Sequence, residues 1–472
     1  MAIPNVIPDT GQASPDIQHL QHNLRIDIVY RPVDEIRSYK RKLRKRSRRW
    51  QAAMQASLKR FGLILPILID LHGEIIGGEG VFEIAKQCGF REVPTVRIDH
   101  LNEVDTRLLR FALNRIAEES SWDTVELTDE WRDLQPTAMD LGYEVSGFTT
   151  PEIDSLLHQP PSKEQEDLYD HQMEVGAPGS EVSQLDDLWL LGDHRVFCAS
   201  SLEADNLRRL MGGDQARMVL TDQPYNVKIQ GNVGGLGKHK YREFVQASGE
   251  MDEAQFTQFL TTSIATLAEF SCDGALLYMF MDWRHQWEIL SGIRAAGLTM
   301  VNMAVWAKTS PALGAFYRSQ HELCFIVRKG RAKHTNNIDL GRWGRTRSNV
   351  WNYAGVNSFG PGRDEQLAMH STCKNVSMLI DAIRDASDRG EIVLDGFLGS
   401  GSTLIAAERT GRICRGLELD PLYVDTIVRR WERVTGGTAI LHGTGESMVQ
   451  VAQRRAKAGP VVSPRPRTRV AP

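Results

Sequence analysis

The sequence predicts an α/β protein organised on a mostly parallel sheet, with a smaller α+β unit ahead of it. Two apolar runs carry the first expectation. Met218-Val219-Leu220 and Ile392-Val393-Leu394 read as buried strands, and each leads straight into a polar or glycine-rich turn: Asp222-Gln223-Pro224-Tyr225 after the first, Asp395-Gly396-Phe397-Leu398-Gly399-Ser400-Gly401-Ser402-Thr403 after the second. The carboxyl ends of strands are where open α/β sheets bind ligands. Length carries the second expectation, because 472 residues are too many for one core.

Bulk composition is that of an ordinary globular chain, with 41% hydrophobic and 25% charged residues. No apolar run reaches the eighteen or so residues of a membrane span, and the first residues lack a signal-peptide pattern, so no membrane partner and a cytoplasmic location are expected. The six cysteines are dispersed without a Cys-x-x-Cys pair, which indicates neither a metal site nor a disulfide framework. Net charge is only −4, but the basic residues are clustered: nine Lys or Arg and no acid in 37–49, seven against Asp339 in 328–347, and six with no acid from 453 onward. Runs of this density suit phosphate neutralisation.

Along the chain, residues 1–24 read as a loose arm and 25–122 as a compact unit. Within that unit, Leu58 to Asp70 reads as a helix end, a Gly62 cap and a strand, and Gly73 to Gly80 as a turn, a strand and a glycine-rich corner opening a helix near Val81 to Gln87. Residues 123–158 show helical spacing. The Pro-, Ser-, Glu- and Gly-rich stretch 159–184 reads as a linker, 185–443 as the main domain, and 444–472 as a basic, Pro-rich, disordered tail.

The segment Asp222-Gln223-Pro224-Tyr225 resembles the Asp-Pro-Pro-Tyr signature of amino-directed DNA methyltransferases. Asp395 to Thr403 resembles their Asp-Pro-Phe-x-Gly-Ser-Gly-Thr-Thr cofactor loop, and His370-Ser371-Thr372-Cys373-Lys374-Asn375 resembles their His-Pro-Thr-x-Lys-Pro. The catalytic segment precedes the cofactor loop, the order of the beta class. The resemblance covers roughly 185 to 440. It implies a Rossmann-like domain with a seven-stranded, mostly parallel sheet, S-adenosylmethionine as cofactor, double-stranded DNA as partner and a restriction-modification type of setting; a homodimer is left open. Residues 25–122 resemble the ParB-like nuclease-fold domain, through Ser57, Phe61-Gly62, Pro66, the glycine corner, Gly89, Val93-Pro94 and Ala112-Leu113-Asn114-Arg115. That family's corner usually ends in an Arg suited to phosphate. Here Val81 stands there, which points to a DNA-positioning or structural role.

The resemblance implies a role for each matching residue. Extruding a base from a duplex costs a few kcal/mol, and Tyr225 offers a replacement stack of roughly 1–3 kcal/mol. An exocyclic amino nitrogen is a poor nucleophile. Asp222 and the Gln223 carbonyl would accept its N–H bonds and stabilise the charge that develops on it, with Pro224 completing the turn. Thr372, Lys374, Asp395, Phe397, Gly399, Ser400, Gly401, Thr403 and Glu418 are the expected cofactor residues, Glu418 on the ribose hydroxyls. A phosphate-binding loop is the competing reading of Gly399-Ser400-Gly401, but no Lys follows. Phe316, Tyr317 and Arg318, with Arg342, Arg345 and Arg347, are the expected DNA-binding residues. An opening Asp favours N6 of adenine, since Ser is usual in the N4-cytosine enzymes. The cytosine reaction remains an alternative. So does a noncatalytic regulator, because Gln223, Ser371, Asn375 and Gly396 all replace family prolines.

Overall fold

The structure is a computed structural model that describes residues 26–138, 143–157, 175–177, 179–227, 246–309, 311, 316–338, 346–353 and 374–458. The expected arm at 1–24 and, from the expected site, Thr372, Arg342 and Arg345 lie outside the described residues. The chain divides into two compact units, Met1–Thr149 and Thr150–Pro472.

The first unit holds a four-stranded sheet of β1 (Ile28–Pro32), β2 (Ile67–Ile69), β3 (Ile75–Gly77) and β4 (Glu92–Arg97), in the order β1-β4-β2-β3. Ile67, Ile69, Ile75, Phe82, Ala85 and Val93 form its core. The helix Arg48–Phe61 starts where Ser47 accepts a hydrogen bond from Trp50 N and ends at Gly62, whose φ of 79° only glycine adopts easily. At the glycine corner, Gly78 opens the helix Glu79–Gln87. A Cβ at Gly80 would fall 2.6 Å from Trp50 and 2.7 Å from Arg46, so the corner is filled by the chain's own side chains. Arg46 is held there by Glu83 at 2.5 Å. The unit extends beyond 122: Phe148 packs on Trp122 and Trp131, with ring centroids 5.5 and 5.7 Å away.

The second unit is a ten-stranded sheet. In chain order its strands are β5 (Leu188–Leu191), β6 (His194–Cys198), β7 (Ala216–Asp222), β8 (Ser271–Met281), β9 (Thr299–Lys308), β10 (His321–Arg328), β11 (Val350–Tyr353), β12 (Ile392–Asp395), β13 (Ile413–Glu418) and β14 (Ile440–Leu441). They lie in the order β11-β9-β10-β8-β7-β12-β13-β6-β5-β14. Five of the nine neighbouring pairs are parallel and four antiparallel. The expected seven strands become ten because short strands extend the edges: β14 pairs with β5 over two residues, and β5 folds back on β6. Two cores, one on each face of the sheet, bury Met218, Leu220 and Val393 on one side and Val219 and Leu394 on the other. Each such side chain contributes roughly 1.5–3 kcal/mol.

From β7 the chain crosses to β8 on one side, and from β12 it crosses to β13 on the other. The neighbouring carboxyl ends of β7 and β12 are therefore the topological switch point of the sheet, where a crevice opens.

Two expected boundaries differ from the structure. The helical extension at 123–158 is divided, since the helix Thr150–Leu157 belongs to the second unit. Asp154 on that helix is buried and takes Arg412 in two bonds of 2.8 and 3.1 Å and Arg389 at 2.8 Å. Burial alone would raise the Asp154 pKa, but Arg412, Arg389 and Arg384 outweigh it and lower it. The tail beginning at 444 is not wholly disordered. Residues Met448–Ala458 form a helix whose Met448 and Val451 are buried, and Arg455 grips Asp187 at 2.6 and 2.8 Å. The end of the expected linker is also held, because Asp425 accepts hydrogen bonds from Val182 N and Ser183 N at 2.7 and 2.8 Å.

Candidate active site

At the end of β7, Asp222 and Tyr225 meet Lys374 from just before the helix Val376–Ala386 and Glu322 from the start of β10. Lys374 Nζ lies 2.7 Å from Asp222 Oδ2, 2.8 Å from Glu322 Oε2 and 3.1 Å from the Tyr225 hydroxyl. The same hydroxyl lies 2.8 Å from Asp222 Oδ1 and 3.0 Å from Glu322 Oε2. Lys308, at the end of β9, pairs with the other oxygen of Glu322. Two lysines thus balance two carboxylates around one phenol. Tyr225, Phe280 and Trp306 wall the Lys374 ammonium, with ring centroids 5.1–5.8 Å away.

Burial sets the titration of this cluster. It raises the Asp222 pKa, opposed by Lys374 and aided by the Glu322 charge. Burial would raise Glu322 too, but Lys374 and Lys308 win and hold it well below the ordinary carboxylate range. For Lys374 the burial cost is outweighed by Asp222 and Glu322, so its pKa rises and it stays charged. Tyr225 is pushed well above 10.0, first by burial and then by the two carboxylates.

Gln223 is 1% exposed, and its Nε2 lies 3.3 Å from Ser263 Oγ on the helix Glu253–Glu269. A side-chain tether thus stands where the resembling family has a rigid ring. Asn375, another proline replacement, caps the following helix by accepting from Met378 N at 3.0 Å. At Gly396 an added Cβ would crowd Leu267 at 3.0 Å and Ser201 at 3.3 Å, so that replacement permits a close approach. Three of the four missing prolines therefore have a local structural counterpart.

The second half of the site lies at the ends of β12 and β13. Asp395 is 2% exposed and turned inward, accepting from Thr221 Oγ1 at 2.9 Å and Phe397 N at 3.0 Å. Burial pushes it up to about 6, against the bonds from Phe397, Thr403 and Thr221. Its side chain organises the loop from within. Gly399 and Gly401 have φ of 54° and 85°, and Gly401 opens the helix Ser402–Thr410. Glu418 accepts from Gly399 N at 2.8 Å and Asp420 N at 2.9 Å. Burial raises it to about 7 in spite of those bonds. Phe397 packs beside Phe259, and the Ser400 carbonyl accepts from Arg430 at 3.0 Å.

These residues fit an adenosyl cofactor. A Cβ at Gly399 would meet nothing within 4 Å, so the loop beside Glu418 is open to a ligand. Ser201 Oγ and Gln223 Oε1 are buried polar atoms with no protein partner, and both residues adjoin strand ends around the Gly396 turn.

The expected DNA-contacting residues fare differently. Phe316 and Tyr317 are 89% and 82% exposed and rest on each other, 4.6 Å between centroids, rather than enclosing a pocket. Arg318 donates to the Pro311 carbonyl at 2.9 Å. Arg347 is not presented to DNA: it is mostly buried and bridges Asp381 and Asp385 at 3.1 Å each, with Tyr353 OH at 2.6 Å. Burial would lower its pKa, but the two carboxylates outweigh this and raise it. Neither Lys308 nor Glu322 is among the residues expected from the sequence. A Glu entering a strand at the same edge as Asp222 was the signal available.

Comparison with known proteins places this geometry. Residues 216–429 match the DNA methylase family, N6_N4_Mtase. YubD of Escherichia coli (strain K12) is 27% identical over 211 residues, covering 45% of this chain and 79% of that protein. The type II methyltransferase M.HinfI of Haemophilus influenzae is 22% identical over 258 residues, 50% of this chain and 69% of that protein. The ParB-like nuclease domain-containing protein YnaK of Escherichia coli (strain K12) is 35% identical over 79 residues, 17% of this chain and 91% of that protein. Residues 216–429 therefore form a domain of the N6/N4 DNA methylase family, and the chain also carries a ParB-like domain.

Proposed function

We propose that the protein moves a methyl group from S-adenosylmethionine to the exocyclic N6 of adenine in a base extruded from double-stranded DNA. The observation that carries this reading is the charge-balanced cluster of Asp222, Tyr225, Glu322 and Lys374 at the switch point, next to the open loop bounded by Gly399 and Glu418. The cofactor supplies a methyl group activated on a sulfonium sulfur. Glu418 would accept hydrogen bonds from its ribose hydroxyls, and the backbone of 399–401 would border it.

Asp222 accepts an N–H bond of the amino group, and the Gln223 carbonyl accepts the other. Together they draw the nitrogen lone pair out of ring conjugation and offset the positive charge that grows on it. On accepting the methyl group the nitrogen must shed a proton, and Asp222, as its hydrogen-bond acceptor, would take it. Lys374 anchors the far oxygen of Asp222, fixing the carboxylate plane. Tyr225 supplies the stacking face. An Asp at the head of the motif favours adenine. The test is methyl transfer to mixed-sequence duplex DNA followed by mass spectrometry of the nucleosides: N6-methylated adenosine supports the reading, N4-methylated cytidine overturns the choice of base, and no product overturns the reaction.

A further inference from the structure

The turn that follows β8 presents two tryptophans to solvent and is rigid underneath. Asp282 accepts from Arg284 N at 3.1 Å, His285 N at 3.2 Å and Arg284 Nε at 2.7 Å. His285 Nδ1 lies 2.9 Å from Glu288, and its ring meets Phe256 edge-on at 4.9 Å. From this frame Trp283 and Trp287 emerge 53% and 72% exposed. Holding two indoles in water adds nothing to folding stability, and exposed aromatic surface of this kind marks contact sites.

Their place in the sheet identifies the partner. Phe280 of β8 pairs with Asp222 of β7, so Trp283 lies three residues, about 10 Å, beyond the level of the acceptor carboxylate. On the other side of β8, the amino end of β10 pairs at Leu323 with Met281. The exposed Phe316 and Tyr317 precede that end. Two pairs of exposed aromatics thus rim the edge that holds Asp222.

We propose that Trp283 and Trp287 form a base-stacking platform for the DNA beside the target nucleotide. The inference rests on the function proposed above. Extruding one nucleotide leaves the faces of its neighbours uncovered, and indole faces fit any base, so the platform would contribute affinity without reading sequence. The tryptophans stand at the same strand-end edge as Asp222, which an extruded base must reach, and this favours DNA as the occupant.

The test uses the full-length chain and a mixed-sequence duplex. The double variant Trp283→Ala/Trp287→Ala should bind the duplex about tenfold or more weakly and raise KM for DNA to match. Cofactor affinity and solution mass should stay unchanged, and Trp283→Phe/Trp287→Phe should recover most of the loss. DNA affinity within twofold of wild type overturns the platform. A change of solution mass in the Ala variant overturns it in favour of a second copy. Should wild-type protein transfer no methyl group, the proposed reaction falls, while direct duplex binding by the same proteins still decides the platform.

Discussion

The hydroxyl of Tyr225 lies 2.8 Å from Oδ1 of Asp222, so the residue expected to stack on the base occupies the carboxylate that would accept the base's amino group. Substrate entry must exchange one hydrogen bond for another. Tyr225→Phe removes this competition and keeps the ring, and should leave KM for DNA unchanged or lower. Tyr225→Ala removes the stack and should weaken DNA use by roughly 1–3 kcal/mol. Steady-state kinetics on both variants would show the split, and equal damage in both would contradict it.

Lys374 is 9% exposed and is the cation shared by Asp222 and Glu322. Lys374→Met leaves two partly buried carboxylates with one lysine, a change expected to cost up to about 3 kcal/mol of stability. Adding Glu322→Gln should restore much of the stability without restoring methyl transfer, because the Asp222 plane stays unanchored. Urea denaturation and transfer assays on the single and double variants test this.

Glu418 at about 7 and Asp395 at about 6 are both raised by burial. The folded chain therefore holds protons that the unfolded chain releases near the ordinary values of 4.5 and 3.8. Their contribution to stability is greatest below those ordinary values and falls as pH rises through the folded values. Ligand-free protein should lose stability between about pH 4 and pH 7, and Glu418→Gln should lessen that loss. Cofactor affinity should run the other way, since the ribose acceptor must be ionised. Calorimetry across the same range should show binding strengthen through about pH 7, and a flat profile in Glu418→Gln.

The tether from Gln223 to Ser263 predicts how this site answers to substitution. Ser263→Ala should lower kcat with little change in KM for the cofactor. Gln223→Pro should restore a fixed φ, stabilise the turn by about 0.4–1 kcal/mol and retain transfer. A Gln223→Pro enzyme with no activity would show that the amide itself does more than hold the loop.

The parts of the site that lie along single strands were legible in the sequence. Asp222 and Asp395 each close an apolar run, and strand ends carry turns whose residues declare themselves. What could not be read depends on partners far away in the chain. Asp154 looks like an ordinary helical acid until Arg389 and Arg412 meet it from the far end of the chain. Arg347 lies in a basic run that suits DNA, yet two carboxylates on the helix Val376–Ala386 claim it. The short strands β5, β11 and β14 span two to four residues, too few to show a period of two. The helix Met448–Ala458 was hidden because its buried Met448 and Val451 sit among basic residues.

The most direct test of the account is Asp222→Ala beside wild type, with methyl transfer to duplex DNA and cofactor binding measured on the same preparations. Transfer is expected to fall by at least about a hundredfold while the cofactor still binds. A variant that continues to methylate would contradict the role given to Asp222 and with it the reading of the switch point as the reacting centre.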